Sequence, residues 1–168
     1  MSLSLLYGIL TGCGDSSKPN SGDSSTPKSD SVDKEYSVTV TPPEGWETFS
    51  DGSTLLRYRK DSGDFWVKQS PLGGSLESEI EYYREREKEG GYDIVWDDAE
   101  DVKTGGMDAK HLKYTISTKS LTMRYDAYFI PKGNMFFTVI CLTTPDSDYA
   151  TMESDYKALL DSLAIAEK

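Results

Sequence analysis

The stretch Met135-Phe136-Phe137-Thr138-Val139-Ile140-Cys141-Leu142 decides the fold that the sequence predicts. Successive side chains of a β-strand point to opposite faces, and here both faces are apolar except at Thr138. A strand with this pattern lies inside a sheet that is covered on both sides. The covering layers must come from other parts of the chain.

Two amphipathic helices are predicted to supply those layers. The first has an N-cap residue type at Ser75 and ends at Gly90-Gly91. The side chains that share one face of it are Leu76, Ile80, Tyr83 and Glu87, of which the first three are apolar. The second runs from about Ser147 to Leu163, with an apolar face of Tyr149, Met152, Tyr156, Leu159, Leu160 and Leu163. We therefore expect helices on opposite faces of the sheet.

The other apolar runs alternate with a period of two and are joined by short turns, which is typical of antiparallel strands. They lie at residues 36–40, 54–59, 65–69, 92–96, 111–116 and 123–129. An acidic bend is predicted at residues 97–101. The pattern predicts an α+β fold: a mainly antiparallel β-sheet with amphipathic helices covering its faces, an α/β/α sandwich.

A short motif near the N-terminus indicates export and lipid attachment. Leu10-Thr11-Gly12-Cys13 follows an apolar run and resembles a bacterial lipobox, in which the cysteine is lipidated after cleavage before it. No Lys or Arg precedes the run, so residues 1–12 are interpreted as the remnant of a signal peptide whose native start is longer. A lipidated Cys13 would hold the protein on a membrane without a spanning helix.

The residues after Cys13 form a linker. Residues 14–35 hold seven Ser, two Pro and two Gly, and Val32 is their only clearly apolar residue. Such a segment cannot bury enough apolar surface to fold. We therefore divide the chain into a signal remnant at 1–12, a lipidated cysteine with a disordered linker at 13–35, and one globular domain at 36–168.

Composition excludes several classes of function. The net charge of −11 has the wrong sign for binding nucleic acid or anionic lipid head groups directly. With only Cys13 and Cys141, the chain has no disulfide once Cys13 is lipidated, and no Cys/His spacing typical of zinc. No phosphate loop or dinucleotide fingerprint is present, so we expect neither cofactor nor metal.

Two residues are candidate catalytic groups. His111 is the only histidine, and it falls on the polar side of its strand beside Lys113. We interpret it as a surface histidine, because a triad also needs a positioned nucleophile and the Gly-x-Ser-x-Gly elbow is absent. Cys141 lies between Ile140 and Leu142, so we expect a small buried hydrophobic residue and not a nucleophile.

Two clusters of residues are candidate binding sites. The acidic residues Asp93, Asp97, Asp98, Glu100 and Asp101 could hold a cation, but the calcium-loop order is absent and a solvated bend is the simpler interpretation. The aromatic residues Tyr82, Tyr83, Tyr92 and Trp96 could form a ligand-binding surface, although such residues at this spacing are more often core. The ligand-binding residues therefore stay open.

Short motifs spread over residues 36–166 resemble the PsbP-like/DcrB-like family of exported domains, within the Mog/PsbP fold group. They are Tyr36-Ser37-Val38 with Pro43-Glu44-Gly45-Trp46, Ser70-Pro71-Leu72 with Ser75-Leu76-Glu77, Gly106-Met107-Asp108-Ala109 before Tyr114, and Leu159-Leu160-Asp161-Ser162-Leu163. The resemblance implies a domain used for docking and assembly in some relatives. It implies no catalytic residues.

The sequence thus predicts a non-enzymatic, extracytoplasmic lipoprotein that docks a protein or small ligand at the bacterial cell surface. We expect a monomer whose membrane contact is the lipid on Cys13. Two alternatives stay open: an extracytoplasmic hydrolase with scattered catalytic residues, and a structural spacer. A deep pocket holding His111, a carboxylate and a serine would favour the hydrolase.

Overall fold

The structure is a computed structural model that describes residues 35–168, so Cys13 and the linker up to residue 34 lie outside the described residues. The described part contains ten strands and two α-helices. In chain order they are β1 (Tyr36–Thr39), β2 (Glu47–Thr48), β3 (Leu56–Lys60), β4 (Gly63–Pro71), α1 (Leu76–Lys88), β5 (Asp93–Trp96), β6 (Glu100–Thr104), β7 (Met107–Ser117), β8 (Thr122–Lys132), β9 (Met135–Thr143), α2 (Tyr149–Asp161) and β10 (Ala164–Glu167).

The main sheet has eight strands in the order β2-β3-β4-β9-β8-β7-β5, with β6 pairing to β7 beside β5. All of its strand pairs are antiparallel. Strand β9 lies between β4 and β8, with Thr138 opposite Lys68 on one side and Phe129 on the other. The prediction of an interior strand at residues 135–142 is confirmed.

The two helices cover opposite faces of this sheet. Phe137, Val139 and Cys141 of β9 belong to one core cluster, which also contains Met152, Tyr156 and Leu159 of α2. Phe136 and Ile140 of β9 belong to the other cluster, which contains Ile80 of α1. The predicted α+β fold with helices on both faces is confirmed.

Helix α1 begins and ends where the sequence predicts. The Ser75 hydroxyl accepts a hydrogen bond from the Ser78 amide at 3.2 Å, which satisfies one of the free N–H groups of the first turn. Gly91 has a φ of +69°, a conformation that favours glycine, just beyond the helix end. Helix α2 begins at Tyr149, after a 3-10 turn over Asp146–Asp148, and not at Ser147.

Strand β10 was not predicted. Its four residues follow α2 directly and pair antiparallel with β1 in a separate two-stranded sheet, with Tyr36 opposite Glu167. A four-residue run after a helix carries too little periodic pattern to be distinguished from a helix end.

The predicted acidic bend at residues 97–101 is wrong for its last two residues. Glu100 and Asp101 belong to β6, which pairs with β7 and places Glu100 opposite His111. The reason is that β7, with eleven residues, is longer than β5. Strand β6 pairs with the part of the same β7 edge that β5 leaves unpaired.

Candidate ligand-binding groove

A groove of about 480 Å³ lies between α1 and the sheet. Its floor comes from β4, β9, β8 and β7, and its wall comes from α1. The lining residues are Trp66, Lys68, Ser70, Pro71, Glu79, Tyr82, Tyr83, Arg86, Glu87, Tyr114, Tyr125, Phe129, Phe136, Thr138 and Ile140. This volume is typical of pockets that hold small molecules. We call it the α1 groove.

The α1 groove exists because the apolar face of α1 is short. Ile80 packs against the sheet, and Tyr83 packs edge-on against Phe129 at 5.3 Å between ring centroids. One turn later the same face presents Glu87, a charged side chain that does not close onto an apolar sheet. The floor opposite is also interrupted, because β9 places Thr138 there.

Aromatic rings make up much of the lining. Tyr114 and Tyr125 stack with ring centroids 4.7 Å apart and an angle of 6° between the rings. Trp66 is held from the neighbouring strand by Arg57, whose guanidinium carbon lies 5.1 Å from the indole centroid. Tyr82 stands at the rim and is 62% exposed. Rigid rings of this kind offer contact area at little cost in side-chain entropy.

The hydroxyls of Tyr83 and Tyr114 in the groove are neutral hydrogen-bonding groups. Tyr83 and Tyr114 share a hydrogen bond, with 2.6 Å between their oxygens. Burial raises the pKa of both side chains well above the ordinary value for tyrosine. They can donate and accept hydrogen bonds near neutral pH, but neither ionises to act as a base.

Charged groups of both signs line the groove. Burial raises the pKa of Glu87, although the positive charges of Arg86 and Lys68 act in the opposite direction. The carboxylate of Glu79 accepts a hydrogen bond from the Gly73 amide at 3.0 Å. The groove can therefore bind and orient a polar molecule. Its lining contains no histidine or cysteine that could serve as a nucleophile or base near neutral pH.

Only part of the predicted aromatic surface lines this groove. Tyr82 and Tyr83 do. Trp96 contributes indirectly, because its ring packs on Tyr114 at 4.4 Å. Tyr92 does not belong to the lining and is 56% exposed.

Sequence reasoning missed Trp66, Lys68, Glu87 and Thr138 as groove residues. Two of these residues could have been recognised from the sequence. Glu87 is the charged member of the sheet-facing stripe of α1, and Thr138 is the one polar residue of the apolar run 135–142.

The prediction that His111 is a surface residue is wrong. His111 is only 8% exposed, its ring stacks on Tyr128 at 4.3 Å, and its Nε2 lies 2.8 Å from Asp126 Oδ1. The alternation of β7 was correct, since Leu112, Tyr114 and Ile116 face the α1 side. The opposite side is buried at His111, where α2 lies over the sheet, and only half-buried at Lys113 and Thr115.

Among residues 35–168, the side chains around His111 do not complete a hydrolase triad. A cavity of about 310 Å³ beside it is lined by Tyr149, Glu153, Tyr156 and other residues, none of which is a serine. Thr104 is there, but it is buried and its hydroxyl donates to the Leu160 carbonyl at 3.3 Å. A nucleophile aligned with the imidazole is what the triad chemistry requires.

Cys141 is buried as predicted, with 1% of its surface exposed. Burial raises the pKa of its thiol, which disfavours the reactive thiolate.

The acidic residues do not converge on one point. Asp101 pairs with Lys110 at 2.8 Å, while Asp93 lies on β5. Within residues 35–168 no group of three or more His, Cys, Asp or Glu side chains is placed to hold a metal ion.

Three solved structures show the same fold. Cyanobacterial PsbP (CyanoP) from Synechocystis sp. PCC 6803 aligns with a TM-score of 0.56 and 13% identity over 78% of this chain and 92% of that protein. LpqN, involved in cell envelope biogenesis of Mycobacterium tuberculosis, aligns with a TM-score of 0.55 and 13% identity over 82% and 87%. The Saccharomyces cerevisiae Ran-binding protein Mog1p aligns with a TM-score of 0.53 and 9% identity over 78% and 94%.

These structural similarities define the class of the protein by its fold. The domain has the fold of the PsbP/Mog group, so the resemblance inferred from the sequence motifs is confirmed at the level of fold. Neither a protein-family model nor a curated protein sequence matches the chain. In the described part of the chain, no helix combines the length and the apolarity that crossing a membrane would require.

Proposed function

We propose that the protein is an extracytoplasmic lipoprotein, tethered through Cys13, whose domain binds a small ligand in the α1 groove and performs no catalysis. The observation that carries the binding role is the groove itself, an aromatic cavity of about 480 Å³ whose lining includes charged side chains. Ligand-binding sites are typically apolar pockets of this size with a few polar groups that fix the orientation of the ligand.

The tether is supported by the sequence. A lipobox-like motif, Leu10-Thr11-Gly12-Cys13, is followed by a Ser-rich segment. This combination is typical of an exported domain that is attached through a flexible linker. LpqN is involved in cell envelope biogenesis of Mycobacterium tuberculosis, which fits a domain of this fold outside the cytoplasm. Mog1p is described as a Ran-binding protein, which fits a binding role for the fold.

The hydrolase is the alternative with one observation in its favour, the buried His111–Asp126 pair. It would need a nucleophile within reach of the imidazole, and the adjacent cavity offers no serine. A docking site for a protein partner is less well matched to a cavity of this size than a small ligand is.

The test is ligand binding to the α1 groove. The full chain would be screened by saturation-transfer NMR against naphthalene derivatives with a neutral, an anionic or a cationic substituent. Thr138→Phe places a ring on the floor of the groove and is expected to abolish binding. Thr115→Phe makes the same change on the opposite face of the sheet, next to Val95 on the paired strand, and is expected to leave binding intact.

Melting curves would show that both variants are folded. The proposal fails if none of the compounds binds the wild-type chain, or if Thr138→Phe and Thr115→Phe weaken binding equally.

A further inference from the structure

We propose that the ligand of the α1 groove carries one anionic group, recognised by Lys68 and Arg86, on a planar apolar body that packs against the aromatic lining. This inference rests on the proposed binding function and specifies the chemical class of the ligand.

The two cations of the groove lack ion-pair partners among residues 35–168. No carboxylate of this part of the chain lies within 4 Å of the charged nitrogens of Lys68 or Arg86, whereas Lys60 has one such partner and Arg57 and Lys110 each have two. Lys68 lies on the floor opposite Thr138, and Arg86 lies on the helix wall. A ligand anion would find a cation on each side of the groove, and charge-assisted hydrogen bonds are the strongest that it could form there.

Two features reduce the electrostatic repulsion that Glu79 and Glu87 would exert on a bound anion. The Glu79 carboxylate already accepts the Gly73 N–H. Burial raises the pKa of Glu87, so this side chain loses its negative charge at a higher pH than an exposed glutamate does.

The groups that face Glu87 are positive or neutral, so they add no further negative charge beside a bound anion. Arg86 comes from its own helix and Lys68 from β4, and both are positive. Tyr83, Tyr114 and Tyr125 also interact with it. Burial raises the pKa of all three phenols, so they are neutral. The only histidine lies on the other face of the sheet.

The rest of the lining fits a planar apolar body. Trp66 lies two residues from Lys68 on the same face of β4, so a ring packed on the indole would carry a substituent towards the amino group. Arg57 fixes this indole from β3 and is itself held by Asp51 at 2.6 Å. Phe129 and Phe136 complete an apolar surface that a simple inorganic anion would not use.

The test uses three compounds of one shape: 2-naphthoate, 2-naphthalenemethanol and 2-naphthylmethylammonium, titrated calorimetrically into the full chain. We expect naphthoate to bind about tenfold more tightly than the alcohol, with the ammonium compound the weakest. Lys68→Met keeps the apolar stem and should remove most of the advantage of naphthoate over the alcohol. The control is Lys113→Met, which makes the same charge change outside the groove.

The outcomes separate this inference from the proposed function. If the alcohol or the ammonium compound binds as tightly as naphthoate and Thr138→Phe abolishes that binding, the groove is a ligand site but the anionic class is wrong. If none of the three binds, both proposals fail. Equal effects of Lys68→Met and Lys113→Met would indicate a general charge effect and overturn the role of Lys68.

A pH series tests Glu87. Protonation of Glu87 removes a negative charge that faces the ligand, and burial moves this protonation to a higher pH than for an exposed glutamate, so naphthoate affinity should rise as the pH falls while naphthoate itself stays ionised. Glu87→Gln should bind naphthoate more tightly at the high end of the pH series and flatten the slope. Glu85→Gln, an exposed change beside Lys88, should keep it. A slope that persists in Glu87→Gln would contradict the role given to Glu87.

Discussion

His111 Nε2 lies 2.8 Å from Asp126 Oδ1 in the buried layer between the sheet and α2. The other carboxylate oxygen of Asp126 accepts a hydrogen bond from Arg124 Nε at 3.1 Å. The guanidinium of Arg124 in turn lies 3.3 Å from the ring centroid of Tyr149, at the start of α2. The cluster therefore joins β7, β8 and α2, and its contacts indicate a structural role.

His111→Ala should destabilise the domain by about 1–3 kcal/mol, because it leaves a buried carboxylate with one partner fewer. The surface position expected from the sequence would limit the loss to about 0.5 kcal/mol. Urea unfolding monitored by tryptophan fluorescence distinguishes the two. Lys113→Ala, a half-buried change on the same face of β7, is the matched control and should have little effect. A loss for His111→Ala no greater than that of the control would show that the pair is not stabilising.

The Asp126 carboxylate should make stability depend on pH in the acid range. Burial alone would raise its pKa, but the hydrogen bond from His111 and the charge of Arg124 outweigh burial and lower it. A carboxyl whose pKa is lower in the folded state stabilises the fold above its unfolded pKa of about 3.9, and this contribution is lost as the pH falls through the folded value.

Asp126→Asn should therefore be less stable than the wild type at pH 7, and the difference should shrink below about pH 4. Unfolding free energies measured over this range check it. A difference that stays constant with pH would mean that the carboxylate charge contributes nothing.

Phe137→Ala should destabilise the domain by about 3–5 kcal/mol, because the ring is fully buried in the centre of β9. The control is Tyr82→Ala, which removes a ring that is 62% exposed and should cost far less. Denaturant unfolding of both variants gives the comparison. Similar losses would contradict the placement of β9 in the sheet interior.

Gly105 and Gly106 form a matched pair in the turn between β6 and β7. Both have positive φ, of +54° and +74°, so alanine is strained at either position. At Gly105 a Cβ atom would also lie 2.2 Å from the Leu163 carbonyl oxygen, whereas at Gly106 it meets nothing within 4 Å.

Gly105→Ala should therefore cost about 1–3 kcal/mol more than Gly106→Ala, because the backbone at the end of α2 must move. Thermal melts of the two variants measure the difference. Equal losses would show that the turn does not approach α2 as closely as described.

Cys13→Ala should release the protein from the membrane without changing the melting temperature of the domain. The reason is that lipid on Cys13 is the proposed anchor. Fractionation and detergent partitioning of the full-length protein would check this. A variant that stays in the membrane fraction would contradict the anchor.

The sequence predicted those elements whose pattern is local and strong. The doubly apolar run of β9 and the capped, amphipathic α1 could be placed because alternation and capping are read from neighbouring residues. His111 was misplaced because a polar residue on a strand looks the same whether its face meets water or a helix. Its burial depends on Asp126, fifteen residues away, and on the position of α2.

The groove was harder to predict than the fold. Tyr82 and Tyr83 were identified as aromatic candidates, but the cavity depends on where α1 stops covering the sheet. The order of the strands in the sheet brings Lys68 of β4 beside Thr138 of β9. This contact between residues far apart in the chain cannot be predicted from their spacing in the sequence.

The most direct test of the binding account is to map where a ligand contacts the full chain by ¹H–¹⁵N NMR. The three tryptophans report on different places: Trp66 lines the α1 groove, Trp46 donates its indole N–H to Asp155 of α2 at 2.9 Å, and Trp96 packs on Tyr114. The account predicts that 2-naphthoate shifts the Trp66 indole signal and the Thr138 amide, and leaves Trp46 and His111 unchanged. Shifts centred on His111 and Tyr149, with Trp66 unchanged, would contradict it.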